Sequence, residues 1–279
     1  MPETVDQPKR PLIVRSFEQW GALWIRTFGL IGGVSYLIRD VAMWVARSLF
    51  TRKFRFGRTA LITQLVRTGA RSTGIVMLVC GCVGFILALQ MEPPLANFGQ
   101  TDKIANIVGV AIFRELGPLI SAIVLTGFAG ASIAAELGTM VVGEEIEALE
   151  AHALNPIRFL VVPRVLATII ALVLLTAIGD VTAVIFGGVM TVNFLDVPYE
   201  QYKANTLTQL APADFLTGLI KAAAFGLILS SIACYNGLNT TGGASGVGRA
   251  TTNTVVQAIL TIIITDFIFT TLFFSLGWT

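Results

Sequence analysis

The chain has 279 residues and a formal net charge of +2, and 54% of its residues are hydrophobic while only 13% are charged. A soluble domain averages about 25% charged residues, so this composition excludes a soluble globular protein. Several apolar runs exceed the roughly 20 residues that a helix needs to cross the hydrocarbon core, which predicts an all-α integral membrane protein.

Positive charge is concentrated at the N-terminal end. Twelve of the 19 Lys and Arg residues lie in the first 71 positions, so the positive-inside rule places this region in the cytoplasm. Residues 1–15 are predicted to form a polar tail. Residues 16–55 interleave Trp and Phe with Arg, which predicts an amphipathic helix in the membrane interface with a break at Gly32–Gly33. A first transmembrane helix is the competing interpretation, because residues 20–45 are fairly apolar.

Five apolar runs follow within residues 56–279. The first is predicted to end at Pro93–Pro94, and an outer loop over residues 191–212 has room for a short surface helix. A glycine-rich inner loop over residues 237–252 lacks the Lys and hydroxyl residues of a phosphate-binding loop and is predicted to be a hairpin turn. An odd number of spans puts the N-terminus inside and the C-terminus outside. The predicted spans are residues 72–91, 104–128, 164–190, 213–236 and 253–276.

Ionisable residues lie deep inside several of these predicted spans. Arg114, Lys221 and Asp266, with Asp180 as a further acid, fall at one predicted depth of roughly 12–15 Å below the outer surface. Glu115 adjoins Arg114 and points about 100° away around the helix, so each of the two needs a partner on another helix. We predict that Arg114 pairs with Asp266 and Glu115 with Lys221. Charge at this depth is costly, so these residues either brace the helices as ion pairs or line a polar cavity.

The two residues that follow this charged pair favour the cavity. Gly117 and Pro118 come directly after it, and Pro118 removes a backbone hydrogen bond. A helix kink is expected there, as in many helices that line cavities.

An acidic block lies in the predicted cytoplasmic segment, residues 129–163. A run of this kind is most often the solvated face of a surface helix. A short, charged helix held between two spans is also a surface on which a cytoplasmic motor protein could act. The helix is predicted to cover residues 144–154 and to end at Asn155–Pro156. The candidate coupling residues are Glu144, Glu145, Glu147, Leu149, Asn155 and Pro156.

The sequence offers little sign of chemistry within this chain. Cys80, Cys82 and Cys234 all fall in apolar runs and are interpreted as packing residues, with the first two on different helix faces. We recognise neither a metal-ligand cluster nor a nucleophile with its base. If ATP drives the protein, another chain therefore hydrolyses it, and we expect no cofactor on this chain and no nucleic-acid partner.

Four motifs resemble the MlaE/YrbE permease family, whose members are the membrane subunits of MCE-type lipid ABC transporters. The resemblance extends over about residues 56–276. The run from residue 144 to 164, with its paired glutamates and its Asn-Pro and Pro-Arg steps, is the most specific of the four. The motifs are FRELGP from Phe113, AAELGTM from Ala134, EEIEALEAHALNPIRFLVVPR from Glu144 and GVGRATT from Gly246.

The resemblance implies the organisation and partners of the protein. It implies a homodimeric permease in the bacterial inner membrane, with an N-terminal interfacial helix and five spans in residues 56–279 of each protomer. A cytoplasmic ATPase would bind below the coupling helix and a periplasmic MCE protein above, and phospholipid or another lipid would be the cargo. Arg114, Glu115, Lys221 and Asp266 match charged positions near the lipid cavity of the family. An ion-coupled secondary transporter and a non-transporting scaffold remain alternatives.

Overall fold

The fold is entirely helical in the part of the chain that the structure describes. The structure is a computed structural model and describes residues 12–50 and 58–278, in which the regular elements are helices and no strand occurs. Six helices in these residues are long and apolar enough to cross a membrane by length and composition. The predicted all-α membrane protein is therefore confirmed. Residues 1–11, most of the predicted polar tail, lie outside the described residues.

Eleven α-helices occur in the described residues, and several are joined end to end through π-helical turns. The π-helical turns are Val66–Ala70, Ile112–Leu116, Thr126–Gly130 and Ile157–Val161. The α-helices are α1 Leu12–Phe50, α2 Arg58–Leu65, α3 Arg71–Asn97, α4 Ile104–Ala111, α5 Gly117–Leu125, α6 Ala131–Val142, α7 Glu145–Ala151, α8 Val162–Phe194, α9 Tyr199–Gln209, α10 Pro212–Leu238 and α11 Gly243–Ser275.

The five predicted spans coincide with five of the long helices, each of which is longer than the predicted span. Successive spans run in opposite directions, so α7 lies at one end of the bundle and α9 at the other. We call these the α7 end and the α9 end. From the first to the fifth, the spans are Thr59–Asn97, Ile104–Val142, Ile157–Phe194, Pro212–Leu238 and Gly243–Ser275.

Several boundaries differ from the prediction. The first span continues through Pro93 and Pro94 to Asn97, because both prolines lie near the exposed helix end, where lost backbone hydrogen bonds cost least. The second span continues beyond residue 128 to the end of α6. The fifth begins at Gly243, so most of the glycine-rich stretch is helix, and the chain reverses direction over residues 239–242.

The predicted short surface helix in the outer loop is present as α9. Its Tyr202 is buried and packs against the last turns of α8. The Tyr202 hydroxyl donates a hydrogen bond of 3.0 Å to the carbonyl oxygen of Val184. This bond fixes α9 against the third span.

The N-terminal helix α1 is continuous, so the predicted break at Gly32–Gly33 is wrong. A Cβ atom at Gly33 would overlap the ring of Tyr235, which shows how closely α1 approaches α10. Leu37 and Val41 are buried in this contact. The stretch Thr27–Ser48 is the sixth helix that is long and apolar enough to cross a membrane. Its interfacial position stays a prediction.

Close helix packing depends on glycine at several crossings. A Cβ atom at Gly84 would overlap the carbonyl group of Ala183, and one at Gly226 would lie 2.9 Å from the Cα atom of Ile169. Small residues at such positions let membrane helices approach backbone to backbone. The three cysteines are free, and Cys80 and Cys234 are buried whereas Cys82 is exposed, which confirms that Cys80 and Cys82 lie on different helix faces.

Candidate functional site

Buried charges from three spans meet in the half of the bundle nearer α9. Lys221 of α10 donates hydrogen bonds to Glu115 Oε2 at 2.6 Å and to Thr270 Oγ1 at 2.8 Å. Its ammonium nitrogen also lies 3.0 Å from Asp266 Oδ1. The Thr270 hydroxyl in turn donates to Glu115 Oε1 at 3.0 Å. We call these four residues the Lys221 cluster.

The Lys221 cluster shields its cation and exposes its acids. The side chain of Lys221 is 1% exposed, whereas that of Asp266 is 15% exposed and that of Glu115 is 37% exposed. The ammonium group donates two hydrogen bonds, and its contact with Asp266 is an ion pair, since Asp266 Oδ1 accepts no hydrogen bond from the described residues. With all three groups ionised, one positive and two negative charges give the cluster a net charge of −1. Glu115 is the most accessible member of the three, whereas Asp266 Oδ1 is buried.

Arg114 belongs to a second ion pair. Its Nε donates to Asp214 Oδ1 at 2.5 Å, and Asp214 is 1% exposed. The other carboxylate oxygen of Asp214 accepts a hydrogen bond from the backbone N–H of Ala211 at 2.9 Å, which caps the first turn of α10. Asp214 thus fixes the start of α10 and positions the guanidinium group.

The predicted pairing is half right. The structure contains the pair Glu115–Lys221, but the pair Arg114–Asp266 is wrong, because Asp266 contacts Lys221 and Arg114 contacts Asp214. Sequence reasoning missed Asp214 because it falls near the start of a span, where a carboxylate is expected to meet water. The spacing of seven residues between Asp214 and Lys221, two helical turns on one face, was the available signal.

Gly117 and Pro118 lie directly below these charges, at the point where a π-helical turn changes into α5. A Cβ atom at Gly117 would overlap the carboxylate of Asp180, so only glycine fits beside that side chain. Asp180 is buried, and its Oδ1 has no hydrogen-bond partner among the described residues. Asp180 therefore belongs to neither ion pair. The backbone is π-helical just before this point, and the predicted kink stays a prediction.

The acidic segment forms a short exposed helix at the α7 end. Glu144 has a positive φ of 59° and precedes α7, and Ala153 also has a φ of 59°. The predicted end at Asn155–Pro156 is wrong, because α7 ends at Ala151 and the chain turns before Asn155. Asn155 instead begins the next helix, where its Oδ1 accepts a hydrogen bond of 3.2 Å from the N–H of Arg158. The candidate coupling residues all have exposed or half-buried side chains: Glu144, Glu145, Glu147, Leu149, Asn155 and Pro156.

The chain after α7 is attached to the N-terminal helix. The guanidinium carbon of Arg158 lies 5.5 Å from the ring centroid of Trp44 in α1 and 5.2 Å from that of Phe159. Such cation–π contacts hold the entry to the third span against α1. A displacement of this segment would therefore also reach α1.

The match to known proteins follows the same part of the chain that carries these charges. The family model described as Permease MlaE matches residues 61–272. The chain belongs to the MlaE permease family. A probable ABC transporter permease protein of Rickettsia prowazekii is 40% identical over 215 residues, which are 77% of this chain and 83% of the relative.

Two relatives from photosynthetic organisms are also similar to this MlaE-family chain. A probable ABC transporter permease protein of Synechocystis is 34% identical and covers 79% of this chain and 84% of the relative. The protein TRIGALACTOSYLDIACYLGLYCEROL 1, chloroplastic, of Arabidopsis thaliana is 35% identical and covers 77% of this chain and 61% of the relative. The matched part contains the Lys221 cluster, the Arg114–Asp214 pair and α7.

Sequence reasoning missed a third group of charges in this MlaE-family protein. Glu136, in the second of the four motifs, accepts a hydrogen bond from Arg67 Nη1 at 2.9 Å, and its other oxygen lies 3.1 Å from Arg164 Nη2. Arg164 is buried and also donates to the carbonyl oxygen of Leu160. Glu136 thereby joins the first, second and third spans at the α7 end.

We expect Glu136→Ala to destabilise the permease by about 1–3 kcal/mol, because it leaves the buried guanidinium of Arg164 without its carboxylate. Because the side chain of Glu136 is partly exposed, the loss of stability is expected to stay within this range. The measurement is the thermal unfolding midpoint of the purified protein in detergent. Glu147→Ala, on the exposed face of α7, is the matched control. Equal midpoints for the two variants would contradict the structural role of Glu136.

Proposed function

We propose that this chain is the membrane permease subunit of an ATP-driven lipid transporter, with phospholipid or a related lipid as cargo. The observation that carries the proposal is the Lys221 cluster, a partly exposed polar group inside helices whose surroundings are apolar. An amphipathic cargo needs both properties, a polar contact for the headgroup and apolar walls for the chains. An intramembrane charge is also expensive unless it is used or fully paired.

The charges suit a headgroup that carries both signs. The accessible carboxylate of Glu115, with the less accessible one of Asp266 beside it, would accept hydrogen bonds from an ammonium group. Arg114 uses its Nε for Asp214, and its Nη atoms have no hydrogen bond to another described residue. Because a guanidinium has five N–H donors, four remain for phosphate oxygens. Lys221, whose ammonium group contacts Glu115, Thr270 and Asp266, would hold the acids in place.

The structure offers a direct mechanical path between α7 and these charges. α7 follows α6 after the turn at Gly143 and Glu144, and α6 continues through π-helical turns and α5 to the turn that carries Arg114 and Glu115. A push on α7 by an ATPase would therefore be transmitted along the second span, which carries Arg114 and Glu115. We propose that α7 is the coupling helix. ATP would be bound and hydrolysed on the partner ATPase.

Partners are proposed from the family and from one exposed surface. Relatives are named as ABC transporter permease proteins, which supports a cytoplasmic ATPase partner at the α7 end. A periplasmic MCE protein is proposed at the α9 end. Most of the apolar face of α11 is exposed in the single chain, including Ile263, Phe267 and Phe274. This face supports a homodimer around a shared lipid cavity, in the bacterial inner membrane.

Affinity purification of the native complex tests this proposal. The tagged chain, extracted in mild detergent, is expected to bring down an ATPase and an MCE-domain protein in fixed stoichiometry, together with phospholipid detected by mass spectrometry. Recovery of the chain alone from cells that express all subunits would contradict the proposal. A secondary transporter would give that result.

We expect two reporters, one fused near each end of the fifth span, to lie on opposite sides of the membrane. A reporter fused to a chain truncated after Ser245 is expected to be active only in the cytoplasm, and one fused after Thr279 only in the periplasm, because α11 lies between them. A third reporter before Met1 is expected in the cytoplasm. Activity of the first and third reporters on opposite sides would show that α1 crosses the membrane and that the five-span arrangement is wrong.

A further inference from the structure

A preformed apolar groove lies at the α9 end, away from the Lys221 cluster. It runs between the last turns of α8 and the helix α9 and has a cavity volume of about 420 Å³. Sites for small ligands usually have volumes of about 300–1,000 Å³ and combine mainly apolar walls with a few polar groups. We call it the α9 groove. Its walls include Ile185, Val189 and Val192 from α8 and Tyr199, Lys203 and Leu207 from α9.

The floor of the α9 groove is fixed by Tyr202. A Cβ atom at Gly188 would lie 2.7 Å from the ring of Tyr202, so the ring rests directly on the backbone of α8. Burial raises the pKa of the Tyr202 hydroxyl to about 12, so the hydroxyl stays protonated and keeps its bond to Val184. The two helices are therefore held apart at a constant spacing, and the groove needs no rearrangement before it is filled.

The exposure of the walls indicates that the groove opens sideways. Ile185 is 57% exposed, Val189 is 50% exposed and Leu207 is 68% exposed. Ile185 and Val189 lie on the last turns of the third span, where exposed apolar side chains are expected to face acyl chains rather than water. The groove is therefore a recess in the surface that faces lipid.

Lys203 gives the groove its polarity. It is exposed, lies at the wall formed by α9, and forms no ion pair within residues 12–50 and 58–278. It is the charged residue among the groove's lining residues in the described chain. An ammonium group at the edge of an apolar recess complements a phosphate attached to an acyl chain. A zwitterionic lipid offers the same phosphate with a nearby positive charge that weakens the attraction.

We propose that the α9 groove binds one anionic phospholipid from the surrounding leaflet, with an acyl chain along Ile185 and Val189 and its phosphate at Lys203 Nζ. The site is separate from the Lys221 cluster and does not depend on lipid transport. The bound lipid would fill the gap between α8 and α9 and stabilise the outer-loop helix against the third span.

Photolabelling in lipid nanodiscs tests the site. The full chain is reconstituted with phosphatidylglycerol that carries a diazirine near the middle of one acyl chain, and labelled peptides are mapped by mass spectrometry. We expect labelling on residues 184–193 and 199–207. Val189→Trp, which fills the groove, should reduce this labelling at least about fivefold, if one indole occupies most of the recess. Val181→Trp, two turns earlier on the same helix and equally exposed, should leave it unchanged.

The charge contribution has its own comparison. We expect wild-type protein to be labelled about fivefold more by phosphatidylglycerol than by phosphatidylcholine with the same diazirine chain, as one surface lysine favours anionic lipid by about that factor. Lys203→Gln should remove this preference, and Lys103→Gln, an exposed lysine at the same end, should retain it.

Two results would overturn the proposal. Equal labelling of Val189→Trp and Val181→Trp would show that the acyl chain lies elsewhere. In the intact complex, another subunit could protect the same peptides from the diazirine lipid. Loss of labelling for that reason would show that a protein occupies the α9 groove. Neither result depends on transport, so the proposed function of the Lys221 cluster would stand or fall separately.

Discussion

Lys221→Met is expected to prevent stable folding of the permease, because it leaves the carboxylates of Glu115 and Asp266 next to each other without their cation. Removing one partner of a buried ion pair costs about 3–5 kcal/mol, whereas a whole domain is stable by only about 5–15 kcal/mol. The measurement is the yield of monodisperse protein in detergent, with its thermal unfolding midpoint. Lys103→Met, at an exposed lysine, is expected to behave like the wild type.

Replacing the whole cluster separates bracing from cargo binding. Glu115→Gln with Lys221→Met would still leave the carboxylate of Asp266 alone, so the informative variant also carries Asp266→Asn. Because no charge remains unpaired, this triple variant is expected to recover most of the yield and midpoint. We expect it to assemble with the ATPase. In cells that lack the permease, it should still fail to restore the outer-membrane barrier, which is measured as resistance to detergent. Full recovery of detergent resistance would show that these charges only brace the helices.

Reversing the charge of the acidic helix is expected to release the ATPase without unfolding the spans. Glu144→Lys together with Glu145→Lys changes the net charge by four units at two exposed positions. Surface substitutions usually change stability by less than about 0.5 kcal/mol, so the thermal midpoint should stay close to that of the wild type. The complementary surface of the ATPase would instead meet repulsion.

Pull-down of the ATPase from detergent extracts, with the coupled ATPase rate, measures this effect. We expect recovery of the ATPase to fall at least about tenfold, which corresponds to a loss of about 1.4 kcal/mol in binding free energy. Asp196→Lys with Glu200→Lys, the same change of charge at exposed positions of the α9 end, is the matched control. Normal recovery of the ATPase by the Glu144/Glu145 variant would rule out α7 as the coupling helix.

The sequence predicted which charged residues form the site better than it predicted which of them contact each other. Glu115 and Lys221 were expected to pair because both lie deep within apolar runs, and the structure pairs them. Asp214 escaped notice because depth estimated from span ends has an error of several residues. An error of one helical turn is therefore enough to predict a solvated carboxylate near a span end where the structure has a buried one. Glu136 escaped notice because it lies where the cytoplasm was expected to begin.

Local sequence signals also mispredicted where helices end. Proline and glycine lower the stability of a helix by known amounts, but Pro93, Gly246 and Gly248 all lie in helices here. The surrounding lipid makes an unsatisfied backbone group so costly that the chain stays helical through residues that would end a helix in water. Glycines at helix crossings, such as Gly84 and Gly226, serve close packing.

The sequence by itself determined that this protein is a helical membrane protein, the approximate positions of five of its six long apolar helices, and which charges they carry, because long apolar runs and buried charges are costly in any other arrangement. The four motifs, which resemble those of the MlaE/YrbE permeases, indicated the family. Only the tertiary structure decided that Arg114 contacts Asp214, that Glu136 joins three spans, and that α8 and α9 leave a groove between them. These depend on how far each helix is rotated and shifted against its neighbours, which is set by the packing of many side chains at once.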